Sequence, residues 1–490
     1  MLYTVDYQSM IKRIGESVTF VRFAVLFGHF IQIAKITQVA WGRFVLLNNN
    51  MKSQYIILVL FTAAFTARGQ ALNTTDTSTI HYLGQVWEQA IQHNPTQAIY
   101  QQQLQQAVYN SKAAKGVFYP NASAAFNATD NLHLGVTPIP GEIIDKPGTT
   151  YYAQFGKTYN YNTGVTVTQN LFNWTSVMQS KIAQSNVELS RLQQQQYQQT
   201  LKEQAARLYF TALIAQNALQ INKADKALAD SLQVLAWHKL QEGTSDLLAS
   251  NQATINVNNI IQNQAQSQQL YHQSIANLKV LLGQQPASEL VLTEALSIDS
   301  LVALPVPQAG PDHTLDVFSQ QIQIANMQRR QQRAAAYPVI GATGYFGSQQ
   351  YRNDFGLTFG KDDWHGYRYI GLNVSVPLFT GFTNSNKYKS AQVQQQIAQL
   401  QYDTARLRSE TNDLLQVKNY NDYLQMVKSA ADNFHLYGDN LQLNQQKYLE
   451  GVIAMDVYIK AFQDYLTAEN TYLNNLSLLL STRATLLSRQ

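Results

Sequence analysis

The chain has 490 residues, 35 Lys+Arg against 31 Asp+Glu, only 13% charged side chains and no cysteine. Charge is about half of the roughly 25% a globular protein carries, while 11% aromatic and 45% hydrophobic residues exclude a disordered chain. Zero cysteine excludes disulfides, cysteine zinc sites, iron–sulfur clusters, thiol catalysis and an acylated-cysteine anchor.

In chain order, Met51-Lys52 leads into an apolar run from Tyr55 to Ala67, followed by Arg68-Gly69-Gln70-Ala71. A basic start, a short apolar core and a small-residue step describe a secretory signal peptide over residues 51–70. The run is shorter than the ~20 apolar residues a membrane helix needs. Translation is therefore expected to start at Met51, with residues 1–50 a mis-assigned upstream extension or leader. Arg22, Lys35 and Arg43 interrupt every apolar stretch there; a long membrane-anchored leader is the alternative. Seven of the 35 basic and two of the 31 acidic side chains lie before residue 70, so the rest carries 28 against 29. No basic stripe remains, which excludes a nucleic-acid partner. About 60 glutamines stand in for charge.

The remainder reads as two similar halves, 71–284 and 312–490, joined by a Pro-containing linker over 285–311. Each half runs helix, strand, loop, strand, long helix, glycine turn, helix. Phe118-Tyr119-Pro120 and Ala336-Tyr337-Pro338 close the first helices; Glu242-Gly243 and Glu450-Gly451 interrupt the long ones. From Trp174 to Gln241 there is no Pro or Gly, which predicts a rod of roughly 100 Å. Leu201, Ala205, Leu208, Ala212, Ala215 and Leu219 form one heptad seam, with Phe210, Ile214, Ala218 and Ile221 beside it. Two seams predict helical neighbours on two sides. The short helices 83–117 with 246–283, and 313–337 with 453–489, have the summed length to stack end to end along each long one.

Four segments alternate with strand period: Ala122–Ala128, Tyr159–Leu171, Ile340–Phe346 and Ile370–Val376. Each has one apolar and one small or polar face, as transmembrane barrel strands do; a half-buried soluble sheet is the alternative. Four strands cannot close a barrel, so membrane strands would have to come from several copies, three giving twelve. Tyr119, Tyr159, Tyr161, Tyr337, Tyr345, Tyr367 and Tyr369 are candidates for an interfacial girdle. Residues 131–158 and 347–366 read as polar loops.

Over residues 80–490 the chain resembles the TolC-like outer membrane efflux protein family (outer membrane factors). The resemblance rests on the duplicated unit, Asn94-Pro95, the Tyr-Pro pairs, Leu171-Phe172-Asn173-Trp174, Pro377-Leu378-Phe379-Thr380-Gly381, and Tyr448-Leu449-Glu450-Gly451-Val452-Ile453 leading to Ala461 and Gln463. It implies a mainly α protein with transmembrane β: a homotrimer with a 12-stranded β-barrel in the outer-membrane lipid on a long periplasmic α-helical barrel. It implies the exit duct of a tripartite efflux pump or type I secretion system, working with a periplasmic adaptor (membrane fusion protein) and an inner-membrane transporter of RND or ABC type. The turns Gly243-Thr244 and Gly451-Val452 inherit the adaptor-contacting role; simple helix capping is the other reading of both. Asp456 is the nearest match to the family's periplasmic constriction. It sits one residue early, and Ile459-Lys460 stands where a second Asp is usual.

No catalytic or cofactor motif emerges, so no enzyme and no cofactor are expected. The nine His lie singly, and Asp362-Asp363-Trp364-His365 reads as a solvated loop. A trimeric coiled-coil surface protein without a transport role is the alternative function; it would not need the duplicated strand–loop–strand unit.

Overall fold

The computed structural model describes residues 77–296, 305–360 and 362–490. The extension and signal peptide assigned to residues 1–70 lie outside the described residues.

Two very long helices organise the chain: α3 (Trp174–Gln241) with 68 residues and α6 (Thr383–Leu449) with 67. Neither contains proline, and the single Gly438 is absorbed inside α6. The shorter helices are α1 (Leu83–His93), α2 (Pro95–Lys115), α4 (Leu247–Leu281), α5 (His313–Ala334) and α7 (Met455–Leu487). α1, α2 and α4 pack along one flank of α3, while α5 and α7 pack between α3 and α6. The helices thus form a sheet of four columns, with two columns made of stacked short helices. The sequence predicts one helix fewer, because residues 83–117 are broken at Asn94-Pro95. Pro95 removes a backbone donor and fits only the first turn of a new helix, and Asn94 caps it by accepting from Gln97 N at 2.9 Å.

The seams account for the columns. Leu201, Ala205 and Ala212 are fully buried and Ala215 nearly so, as are Phe210, Ile214 and Ala218 on the second line. Leu208 is only partly covered. On α7 the line Met455, Ile459, Phe462, Leu466, Leu476, Leu480 keeps heptad spacing and stays buried. Two clusters result: one near the middle of the rods, including Leu201, Tyr209, Leu278, Tyr420 and Leu476, and one toward the glycine turns, including Leu232, Ile260, Met455 and Phe462. Each fully buried large side chain contributes ~1.5–3 kcal/mol.

The main sheet has the order β2-β5-β7-β8, from β2 (Asn121–Asp130), β5 (Tyr159–Phe172), β7 (Val339–Arg352) and β8 (His365–Ser375), every pair antiparallel. Register puts Val165, Phe346 and Ile370 on one face with Ala124 and Leu372, and Asn162, Thr166, Thr343 and Asn373 on the other. Among the described residues β2 and β8 are unpaired outer edges, and all their residues are exposed.

Three expectations change. The loop 131–158 carries its own hairpin, β3 (Val136–Pro140) with β4 (Thr150–Gln154). β7 runs on to Arg352, shortening the loop expected from residue 347. The linker is not wholly irregular, because β6 (Glu289–Leu292) pairs in parallel with β1 (Thr77–Ile80) and buries Leu290 and Leu292.

The tyrosine girdle is also corrected. Tyr345, Tyr367 and Tyr369 share the polar face, with ring centroids 5.6 to 5.7 Å apart. Tyr161 is buried against Phe126, and its hydroxyl accepts from Gly356 N at 3.1 Å; Tyr159 meets Phe355 edge-on. Only Tyr119 and Tyr337 stay exposed at the helix-side ends of the strands. Alternation alone assigns a residue to one of two faces; which other segment folds over that face is a tertiary matter.

Candidate functional site

The glycine turns close α3 onto α4 and α6 onto α7 in the same way. Gly243 N donates to Leu240 O at 3.1 Å and Thr244 N to Lys239 O at 3.0 Å. Gly451 N donates to Tyr448 O at 3.0 Å and Val452 N to Lys447 O at 2.8 Å. These paired bonds are Schellman caps, which need a left-handed residue just past the helix end. Gly243 and Gly451 supply it at φ 70° and 72°. Lys239 also donates to Glu242 at 2.8 Å, a hydrogen bond that holds the Glu242 carboxyl below its usual range. Asp246 caps α4 by accepting from Ala249 N at 2.8 Å.

Beyond the caps, the turns leave open surface. No atom lies within 4 Å of where a Cβ would stand on either glycine, and Thr244 and Val452 are exposed. Leu248 (72% exposed), Leu449 and Val452 carry uncovered apolar area at this end. Ala249 and Ala253 share one cluster with Met455, Tyr458 and Phe462, so the two turns sit at one end of the molecule on a common core.

Asp456 is exposed in the first turn of α7, while Met455, Tyr458 and Ile459 are buried beside it. Lys460, one turn on, ion-pairs with Asp464 at 2.6 Å. The helix face that carries Asp456 therefore also carries a cation. Among the described residues no group of three His, Cys, Asp or Glu could hold a metal ion. Asp363 accepts from Gly360 N at 2.9 Å, and the Trp364 indole donates to Thr358 O at 2.8 Å, so this segment ties its own loop.

Two polar side chains anchor the rods part-way along; the sequence marks Asn94-Pro95 as a motif but gives neither anchoring role. Asn94 accepts from the Tyr197 hydroxyl and donates to Leu281 O, both at 2.9 Å, joining α1, α2, α3 and α4. Asp312, the equivalent N-cap of α5, accepts from Thr314 N at 2.9 Å and the Ser409 hydroxyl at 2.7 Å. Burial pushes the Asp312 carboxyl up, but these bonds and nearby Arg489 bring it below its ordinary value. The repeat could have revealed them: Asn94 to Asp312 is the same 218-residue step as Tyr119 to Tyr337. A second miss is the buried pair Asp225 and Glu469, each 3% exposed, between α3 and α7. Glu469 lies in heptad phase with Leu466 and Leu476 on an otherwise apolar line, which is the signal that could have found it.

The comparisons with known proteins agree with this architecture. The chain is 27% identical over 288 residues to the solvent efflux pump outer membrane protein of Pseudomonas putida, and equally so to the toluene efflux pump outer membrane protein of the same species. Each alignment covers 55% of this chain and 57% of the relative; the chain spans little more than half the length of these relatives. Among solved structures, the outer-membrane channel OprN superposes with a TM-score of 0.68 at 17% identity, covering 83% of this chain and 89% of that one. The open-state MtrE outer membrane channel of Neisseria gonorrhoeae gives 0.67 at 16% identity, covering 83% and 88%. At such identities the structures establish the fold alone. The outer membrane efflux protein model matches residues 86–284 and 311–488, well over half of the sequence and both of its halves, and the chain belongs to that family.

Proposed function

We propose that three copies of this chain close into the outer-membrane exit duct of a tripartite efflux pump. The observation that carries it is the four-stranded sheet. Among the described residues its two edges are unpaired, one face is mainly apolar with Arg368 toward the loop end, the other is polar, and each strand column continues into one of four helix columns. Open strand edges cannot face lipid, so the sheet must be completed by copies of itself. Two copies would give eight strands, whose interior side chains fill; three give twelve and leave a water-filled lumen. Among the described residues no helix is long and apolar enough to cross a membrane; the apolar sheet face, with Val165, Phe346, Ile370 and Leu372, meets the lipid instead.

The edge helix supports the same assembly. On α6, Val393, Leu400, Leu407 and Leu414 recur every seven residues and are 53–76% exposed. Among the described residues this heptad line has no partner, and it suits the α1/α2/α4 column of the next copy. The helices then form a periplasmic tunnel of twelve columns. The turns at Gly243-Thr244 and Gly451-Val452 form its inner end and receive a periplasmic adaptor, with an RND or ABC transporter of the inner membrane behind it. Asp456 stands near that mouth as the candidate constriction, where three copies would favour cations. Efflux is favoured over protein secretion because the relatives are named as outer membrane proteins of solvent and toluene pumps. Transport here is passive conduction through a gated tube.

Planar-bilayer recording of the purified protein tests the duct: stable ion conductance is expected, and none would overturn it. Gly451→Val places a β-branched residue at φ 72° on a surface free of contacts. Export of apolar solvents in cells is expected to fall at least tenfold while the trimer persists on gels. Undiminished export would remove the adaptor role from that turn.

A further inference from the structure

Asp225 and Glu469 face each other across the contact between α3 of the first half and α7 of the second. Both are sealed from solvent, at 3% exposure each. Asp225 Oδ2 is buried and makes no hydrogen bond. Tyr465, one turn before Glu469, acts on Asp225 through a side-chain hydrogen bond. Its ring lies 5.2 Å from that of Phe434 on α6, and Phe434 also stacks on Tyr472 at 5.8 Å. The site is thus capped by aromatic rings and has no neighbouring cation.

The remaining titratable groups on the packed elements do not compensate it. On α3, Lys223 is exposed and Lys226 is paired with Asp230 at 2.7 Å. On α7, Lys460 is paired with Asp464. On α6, Lys428, Asp432 and His435 are exposed. α4 offers only Tyr271 and the exposed His272 between Leu247 and Leu278. Two carboxyl groups within hydrogen-bond reach of each other in a dry site do not both ionise. Burial and the partner carboxyl push Glu469 up to about 9, and burial raises Asp225 as well. A proton held between the two carboxyls gives the orphaned Asp225 oxygen a partner.

We propose that Asp225 and Glu469 bind one shared proton that latches α3 to α7, and that losing it drives the two helices apart. Opening the tube requires helices to slide past one another, and this contact joins the two halves of the repeat. That consequence rests on the duct reading; the proton site itself does not. The folded chain then holds a proton that the unfolded chain releases above the ordinary carboxylate range. Stability contributed by the pair is greatest at low pH and falls as pH rises from about 4.5 toward about 9, by up to tenfold in the unfolding constant per pH unit.

The test is the thermal midpoint of the purified full-length trimer from about pH 5 to about pH 9, for wild type, Glu469→Gln and Asp225→Asn. Each amide keeps a hydrogen bond across the pair but cannot lose its proton. Wild type is expected to lose stability with rising pH relative to both variants, so that the curves diverge. Curves that stay parallel across the range overturn the latch. Infrared spectroscopy of the wild type alone gives a second reading: a protonated-carboxyl band persisting near about pH 7.5 and absent from Glu469→Gln is expected. Its absence from wild type overturns the proposal even if a variant fails to assemble. In bilayer recordings, conductance with a pH profile shared by wild type and Glu469→Gln removes the latch and leaves the duct; no conductance at all removes the duct.

Discussion

The helical and the β regions of this chain solve the same problem in opposite ways. In the helical columns Leu201, Tyr209, Phe462 and Leu476 are buried against other helices of the same chain. In the sheet Ile370 is 82% exposed and Leu372 66%, and β2 and β8 have no covered residue. A helix satisfies its own backbone and needs neighbours only for its apolar seam. A strand needs neighbours for its backbone as well. The helical part is therefore largely complete within one copy, whereas the sheet is left with open edges and an uncovered face, which the proposed assembly would complete.

The most severe break of this contrast should be Ile370→Lys, on the apolar face. A lysine in the lipid band costs about 2–4 kcal/mol per copy, repeated in each copy, and heat-stable trimer in outer-membrane fractions is expected to disappear. Asn373→Lys, three residues on and on the polar face, is expected to leave the trimer intact. Equal outcomes for the two would abolish the assignment of faces. Next comes Phe462→Ala in the fully buried cluster near the turns. It should cost ~3–5 kcal/mol, read as a lower thermal midpoint. Gly283→Ala is smaller and sharper. Its Cβ would stand 2.1 Å from His93 O, at φ 64°, so the α1–α4 junction must shift; a loss of about 1–3 kcal/mol is expected. The smallest effect belongs to Glu188→Gln on the exposed face of α3. Its ion pair with Arg191 is almost half exposed on both sides, and a change below ~0.5 kcal/mol is expected.

The ends of the rods are more legible in the sequence than their middle. Asn94-Pro95 was visible as a motif, but that one amide side chain would tie four helices together was not, because Tyr197 and Leu281 lie 103 and 187 residues away. The tip glycines were readable because a cap is local: Lys239 to Thr244 and Lys447 to Val452 contain every group their hydrogen bonds need. Whether these turns meet an adaptor depends on surfaces of another molecule. Asp456 was named from the resemblance; its exposure beside the Lys460–Asp464 pair came from the helix phase and the packing of α7.

By itself the sequence determined the duplication, the bounds of α3 to the residue, the two seams and the strand faces. All of these follow from periods of about 3.6, 3.5 and 2, or from where proline and glycine stand. Only the tertiary structure decided the order β2-β5-β7-β8, the hairpin within the first loop, and the packing of Tyr345 on Tyr367 and Tyr369 across two strands. It alone brought Asp225 against Glu469, 244 residues apart. A repeat pattern fixes which way a side chain points from its own element. What it meets there is fixed by the other elements, and in this chain the two halves meet each other.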